Sequence, residues 1–145
     1  MDAILNAGVV IEGTNRDAAA AQLAALEQAG FSVTTCGGPD ALPGGVCPLV
    51  GGDPCPWVDA ADVIVHDLSL DKPAYREILQ ELRRTHPDTP VVLEIPEATA
   101  RHHASLLEGC HVVYPYDMDR FVQAVTDAFQ GSTRREGLPS EQASR

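Results

Sequence analysis

Short apolar runs rich in β-branched residues alternate along the chain with segments whose apolar positions recur at helical spacing. This is the pattern of β/α units around a parallel sheet. Val9-Val10-Ile11 reads as a first buried strand. Thr14, with Asp17 three residues on, forms a capping-box-like helix start; Ala20, Leu23, Ala24 and Leu26 supply the apolar stripe and Gly30 the stop. Phe31 to Thr35 predicts a second strand. Asp62 to His66 predicts a third, and its unbroken apolar centre argues for burial on both faces. Pro73 suits a first helical turn, and Tyr75, Ile78, Leu79 and Leu82 follow at i, i+3, i+4 and i+7, ending near His86-Pro87. Val91 to Ile95 predicts a fourth strand, Glu97 to Glu108 a weaker helix stopped by Gly109, and His111 to Tyr114 a fifth strand. Asp117 caps a last helix carrying Met118, Phe121, Val122, Val125 and Phe129. From Gly131 the chain turns polar, so 131–145 is expected to be a disordered tail after a domain over 1–130. No internal repeat is present.

One segment breaks this rhythm. Cys36 to Pro56 holds six of the 12 glycines, five of the 11 prolines and three of the four cysteines. No periodicity survives there, so the second helix is expected to be replaced or shortened by a Cys/Gly/Pro-rich loop, and a loop this long in a small domain is usually functional or disordered.

Charge narrows the partners. Ten Lys and Arg against 21 Asp and Glu leave −11 on 145 residues, which argues against a nucleic-acid or anionic-membrane surface. No apolar run is long enough to span a bilayer, and Met1 to Gly8 lack a signal peptide's basic start and apolar stretch. A cytoplasmic acidic domain is the expectation.

Three motifs, in order, resemble the receiver domain of bacterial response regulators. Asp62-Val63-Ile64-Val65-His66-Asp67 is similar to strand three with its phospho-accepting aspartate. His86-Pro87-Asp88-Thr89-Pro90-Val91-Val92 resembles the entry to strand four, and Tyr114-Pro115-Tyr116-Asp117 the Lys-Pro-Phe-Asp that ends strand five. The resemblance covers residues 7 to 129 apart from the cysteine segment. It implies a flavodoxin-like, five-stranded parallel sheet of order 2-1-3-4-5, with its site outside the carboxyl ends of the strands. It also implies signalling through protein contacts and no enzymatic activity.

In that family an acidic pair after strand one holds Mg²⁺, a Ser or Thr after strand four contacts the phosphoryl group, and a Lys after strand five neutralises it. Here those positions fall on Gly13 and Thr14, on Ile95 and on Tyr114; only Asp67, the phospho-acceptor candidate, is retained. Glu12 stands one residue early, and strand alternation sends adjacent side chains to opposite faces. One secure carboxylate is too few for a hard cation, so the residues argue against Mg²⁺. The expectation is a degenerate, pseudo-receiver-like domain with phosphoryl transfer lost or very slow. The rival reading is an authentic phosphorelay receiver using Asp67. A third leaves Asp67 accepting backbone N–H groups from Leu68 to Asp71.

Cys36, Cys47 and Cys55 are the metal or redox candidates, separated by ten and then seven residues. The spacing matches neither zinc ribbons nor common ferredoxin runs. The alternatives are an iron–sulfur cluster or zinc with a fourth ligand from Asp40, Asp53, Asp67, a partner or solvent; a reversible disulfide or thiol enzyme; or thiols that only pack. Cys110, at the amino end of strand five, is placed too far away to join them. His66 reads as a satisfied core histidine, His102 and His103 as solvated, and Trp57 as an anchor of the loop. Family resemblance marks Arg101, Tyr114, Tyr116 and Arg120 as a partner surface, and a homodimer is compatible with the chain.

Overall fold

The computed structural model describes residues 6–39, 45–115 and 117–137, with side chains through 132. The elements run β1 (Gly8–Gly13), α1 (Arg16–Gln28), β2 (Ser32–Cys36), α2 (Pro56–Asp59), β3 (Val63–Asp67), α3 (Pro73–Thr85), β4 (Val91–Glu94), α4 (Glu97–His102), β5 (His111–Val113) and α5 (Met118–Gly137). All strand pairs are parallel, and the sheet order is β2-β1-β3-β4-β5, as expected for the flavodoxin-like topology. The second helix is cut to a single turn after the cysteine segment.

Strand alternation divides the core into two layers. Val10, Ile64, Val91 and Leu93 face α2 and α3, packing on Val58, Tyr75, Ile78, Leu79 and Leu82. Val9, Ile11, Val63, Val65 and Val92 face α1 and α5, packing on Leu26, Phe121, Val125 and Ala128. Each fully buried Leu or Phe contributes roughly 1.5–3 kcal/mol. α3 buries the four residues its spacing predicts, starts on Pro73 and carries Arg83 and Arg84 in its last turn, where they complement the helix dipole.

Several local expectations need correction. Asn15, not Thr14, caps α1; its side chain accepts the Ala18 N–H at 3.0 Å. The buried stripe of α1 is Ala19, Gln22, Leu23 and Leu26, while Ala20 and Ala24 face solvent. A polar residue occupies the centre of that stripe because its amide has a partner beneath it. α4 ends at His102 and the chain continues in turns to Gly109. α5 does start beside the Asp117 cap, which accepts the Arg120 N–H at 3.1 Å, but runs on to Gly137, past the Gly131 boundary of the expected tail.

Candidate functional site

The carboxyl ends of β1, β3 and β4 present two different environments, one on each face of the sheet. Register pairs Glu12 with His66 and Gly13 with Asp67. Glu12 and His66 therefore share the α2/α3 face, whereas Asp67 lies on the α1/α5 face with Glu94 of β4. Glu12 is thus turned away from Asp67, as alternation predicts.

On the α1/α5 face, Gln22 of α1 is only 1% exposed and donates its amide N–H to Glu94 at 3.1 Å, leaving its own carbonyl oxygen buried without a partner. Asp67 accepts no hydrogen bond among the described residues; the Asp71 N–H goes to Ser69 at 3.3 Å instead. Burial, and then the neighbouring Glu94 charge, push the Asp67 carboxyl up to about 6, with His66 pulling weakly the other way. Burial raises Glu94 too, against the Gln22 hydrogen bond. A Cβ placed on Gly13 would sit 3.7 Å from an Asp67 carboxylate oxygen, in ordinary contact. A side chain can therefore start at position 13 toward Asp67, and glycine supplies none.

The opposite face holds a buried ion-pair geometry and a cavity. His66, fully buried, donates from Nδ1 to Glu12 Oε1 at 2.9 Å, since a carboxylate only accepts. Its Nε2 has no partner, so the core histidine is satisfied on one side only. Above Glu12 lies a cavity of about 300 Å³ walled by Val10, Leu49, Val58, Leu68 and Ile78 and by the thiols of Cys36, Cys47 and Cys55. The structure therefore gathers the three loop cysteines around one space. Trp57, at the same cavity, is 46% exposed rather than anchored in the core. All four cysteines are free. Burial pushes the Cys36 and Cys47 thiols up, with nearby backbone N–H groups only partly offsetting it and Glu12 adding to it. Metal ligation and redox chemistry need thiolates, which this environment disfavours.

Among the described residues, no three His, Cys, Asp or Glu side chains are grouped to hold a metal ion. The thiols as placed thus do not form a zinc or iron–sulfur ligand set. Asp67 is on the other face of the sheet and cannot complete one, Asp53 is exposed, and Asp40 lies outside the described residues. Cys110 is apart from the triad, accepting a 2.9 Å hydrogen bond from Arg83. His103 is partly buried, with Nε2 unpartnered, rather than solvated; His102 is exposed and stacks on it edge to face. Of the partner-surface residues, Arg101 pairs with Glu97 at 3.4 Å, Arg120 with Asp117 at 3.3 Å, and Tyr114 is about half exposed. Tyr116 lies outside the described residues. Gln22, Glu94 and the Glu12–His66 contact went unrecognised in the sequence. The α1 stripe read one residue earlier, from Ala19, would have exposed Gln22 as an anomaly.

A doubly wound parallel sheet with its polar groups at the strand tips belongs to the flavodoxin-like class. Within that class, comparison with solved structures places the fold among response regulator receiver domains. A receiver domain protein from Clostridium thermocellum superposes with a TM-score of 0.67 at 17% identity, covering 91% of this chain and 98% of that one. The receiver domain of the Francisella response regulator 1452 gives 0.65 at 17%, covering 88% and 99%. NtrX from Brucella abortus, in complex with ATP, gives 0.72 at 17%; 93% of this chain aligns with 29% of that longer protein. No family model matches the sequence, and no curated protein does. Among the described residues, no helix is long and apolar enough to cross a membrane.

Proposed function

We propose that this chain is a receiver-fold signalling domain that acts through protein contacts without phosphorylation of Asp67. The observation that carries this reading is the company Asp67 keeps: the charges acting on it are Glu94 and His66, and burial holds its carboxyl up at about 6. A phospho-accepting carboxylate works by attacking as the anion while a metal and cations absorb charge on the phosphoryl oxygens. At the positions where the receiver pattern supplies those groups, this chain has Gly13, Thr14, Ile95 and Tyr114. A second carboxylate in place of a cation raises the barrier instead of lowering it. Arg101, Tyr114 and Arg120 remain the surface we assign to a partner protein, and a cytoplasmic location fits that role.

Incubation of the full chain with acetyl phosphate and Mg²⁺, followed by intact-mass measurement under acid-free conditions, tests this. No mass gain is expected. A gain of one phosphoryl group that is absent in Asp67→Asn would establish the phosphorelay reading instead.

A further inference from the structure

The cavity above Glu12 lies at the same end of the sheet as Asp67 but on the other face, and its composition is specific. Its apolar walls come from the core itself: Val10, Val58, Leu68 and Ile78 each pack in the α2/α3 layer. The cavity opens to solvent past Trp57, and at about 300 Å³ against a core layer it is at the lower end of small-molecule sites, the size of a one- or two-ring compound. Neutral thiols behave as small apolar groups, so Cys36, Cys47 and Cys55 extend this wall and do not interrupt it.

Against this lining stands a single carboxylate. Glu12 is one of the residues lining the cavity; His66 holds one of its oxygens at 2.9 Å, and its other oxygen accepts no hydrogen bond from the described residues. An occupant that brings one donor satisfies that oxygen; an anion or a polyol meets apolar surface and a like charge or no partner at all. We propose that this cavity is a binding site for a small, mainly apolar molecule of one or two rings that directs a single N–H donor to Glu12. The site lies on the opposite face from Asp67, so the inference does not depend on whether Asp67 is phosphorylated.

The three cysteines make the test internal to the molecule, because Cys110 sits beside Arg83, away from the cavity, and serves as the control. Full-length protein is alkylated with iodoacetamide at alkaline pH, and each cysteine is followed by peptide mass spectrometry. The probes are indole and tryptamine, which donate an N–H, and 1-methylindole, which does not. Indole or tryptamine is expected to slow labelling of Cys36, Cys47 and Cys55 about ten-fold when present at ten times its dissociation constant, with Cys110 unchanged. 1-Methylindole is expected to protect only at much higher concentration. Leu49→Trp, which fills the space from the loop side, is expected to abolish protection; if that variant does not fold, the probe pair on the wild-type chain decides. Absence of protection by both donors, equal slowing at Cys110, or protection retained in a folded Leu49→Trp overturns the site. Equal protection by indole and 1-methylindole overturns the role of Glu12.

Discussion

Adjacent residues on two strands build opposite environments at one end of this sheet. Glu12 and His66 face the α2/α3 layer, where they meet each other, a cavity and three thiols. Gly13 and Asp67, one residue on, face the α1/α5 layer, where the neighbours are Glu94 and a half-satisfied Gln22. On the first face a buried acid has found a donor; on the second, two acids lie together with one amide between helix and sheet. The difference shows how little sequence separates an acid paired with a donor from two acids set side by side. A period of two decides which layer each side chain joins, and the layer decides its chemistry.

Rebuilding the α1/α5 side should change behaviour most. The variant Gly13→Asp, Thr14→Asp, Ile95→Thr, Tyr114→Lys supplies the missing acids, hydroxyl and ammonium, and Gly13 has room for a Cβ beside Asp67. It is expected to gain Mg²⁺-dependent labelling by acetyl phosphate on the order of 100-fold or more over the wild-type chain, read by intact mass. If the wild-type chain labels equally well, the contrast between the two faces loses its meaning.

Next in size is the Glu12–His66 pair. Glu12→Ala leaves both nitrogens of a fully buried His66 without partners and should cost about 2–3 kcal/mol in urea unfolding. Replacing both residues with Leu should cost much less, because nothing polar is then left buried.

The Asp67–Glu94 side should respond in the opposite direction. A carboxyl raised in the folded state to about 6, above its ordinary value of 3.8, binds more protons folded than unfolded. Its contribution favours folding at low pH and is lost as pH rises through about 6. Asp67→Asn should therefore stabilise the chain at neutral pH by roughly 1–2 kcal/mol, allowing for partial exposure, and have little effect near pH 4. Denaturant midpoints at the two pH values measure this; destabilisation at neutral pH would mean Asp67 has a partner after all. The smallest effect belongs to the cavity wall. Gly38 has φ +89°, and a Cβ there would stand 3.3 Å from a Leu68 methyl, so Gly38→Ala should cost about 1 kcal/mol.

Most of the architecture was legible because it rests on local signals: β-branched runs for the strands, the i, i+3, i+4, i+7 stripe of α3, the Asp117 cap and the Pro/Gly crowding that shortens α2. The α1 stripe was misread by one residue because its centre is Gln22, a polar side chain whose burial depends on Glu94, 72 positions away. Glu12 and His66 meet only through the β1/β3 register, which no local pattern encodes. The convergence of the cysteines was half visible. Their density marked the segment, but the shared space among them comes from core residues of β1 and α3, which no spacing of cysteines encodes.

Trp57 is the chain's sole tryptophan, standing half in solvent at the entrance to the thiol-walled space. Its emission is therefore a one-residue signal, uncontaminated by other indoles of the protein. For occupants transparent in the near ultraviolet, such as saturated-ring amines, a spectrum of unmodified protein would track each binding event at its doorway. The molecule carries its own optical gauge.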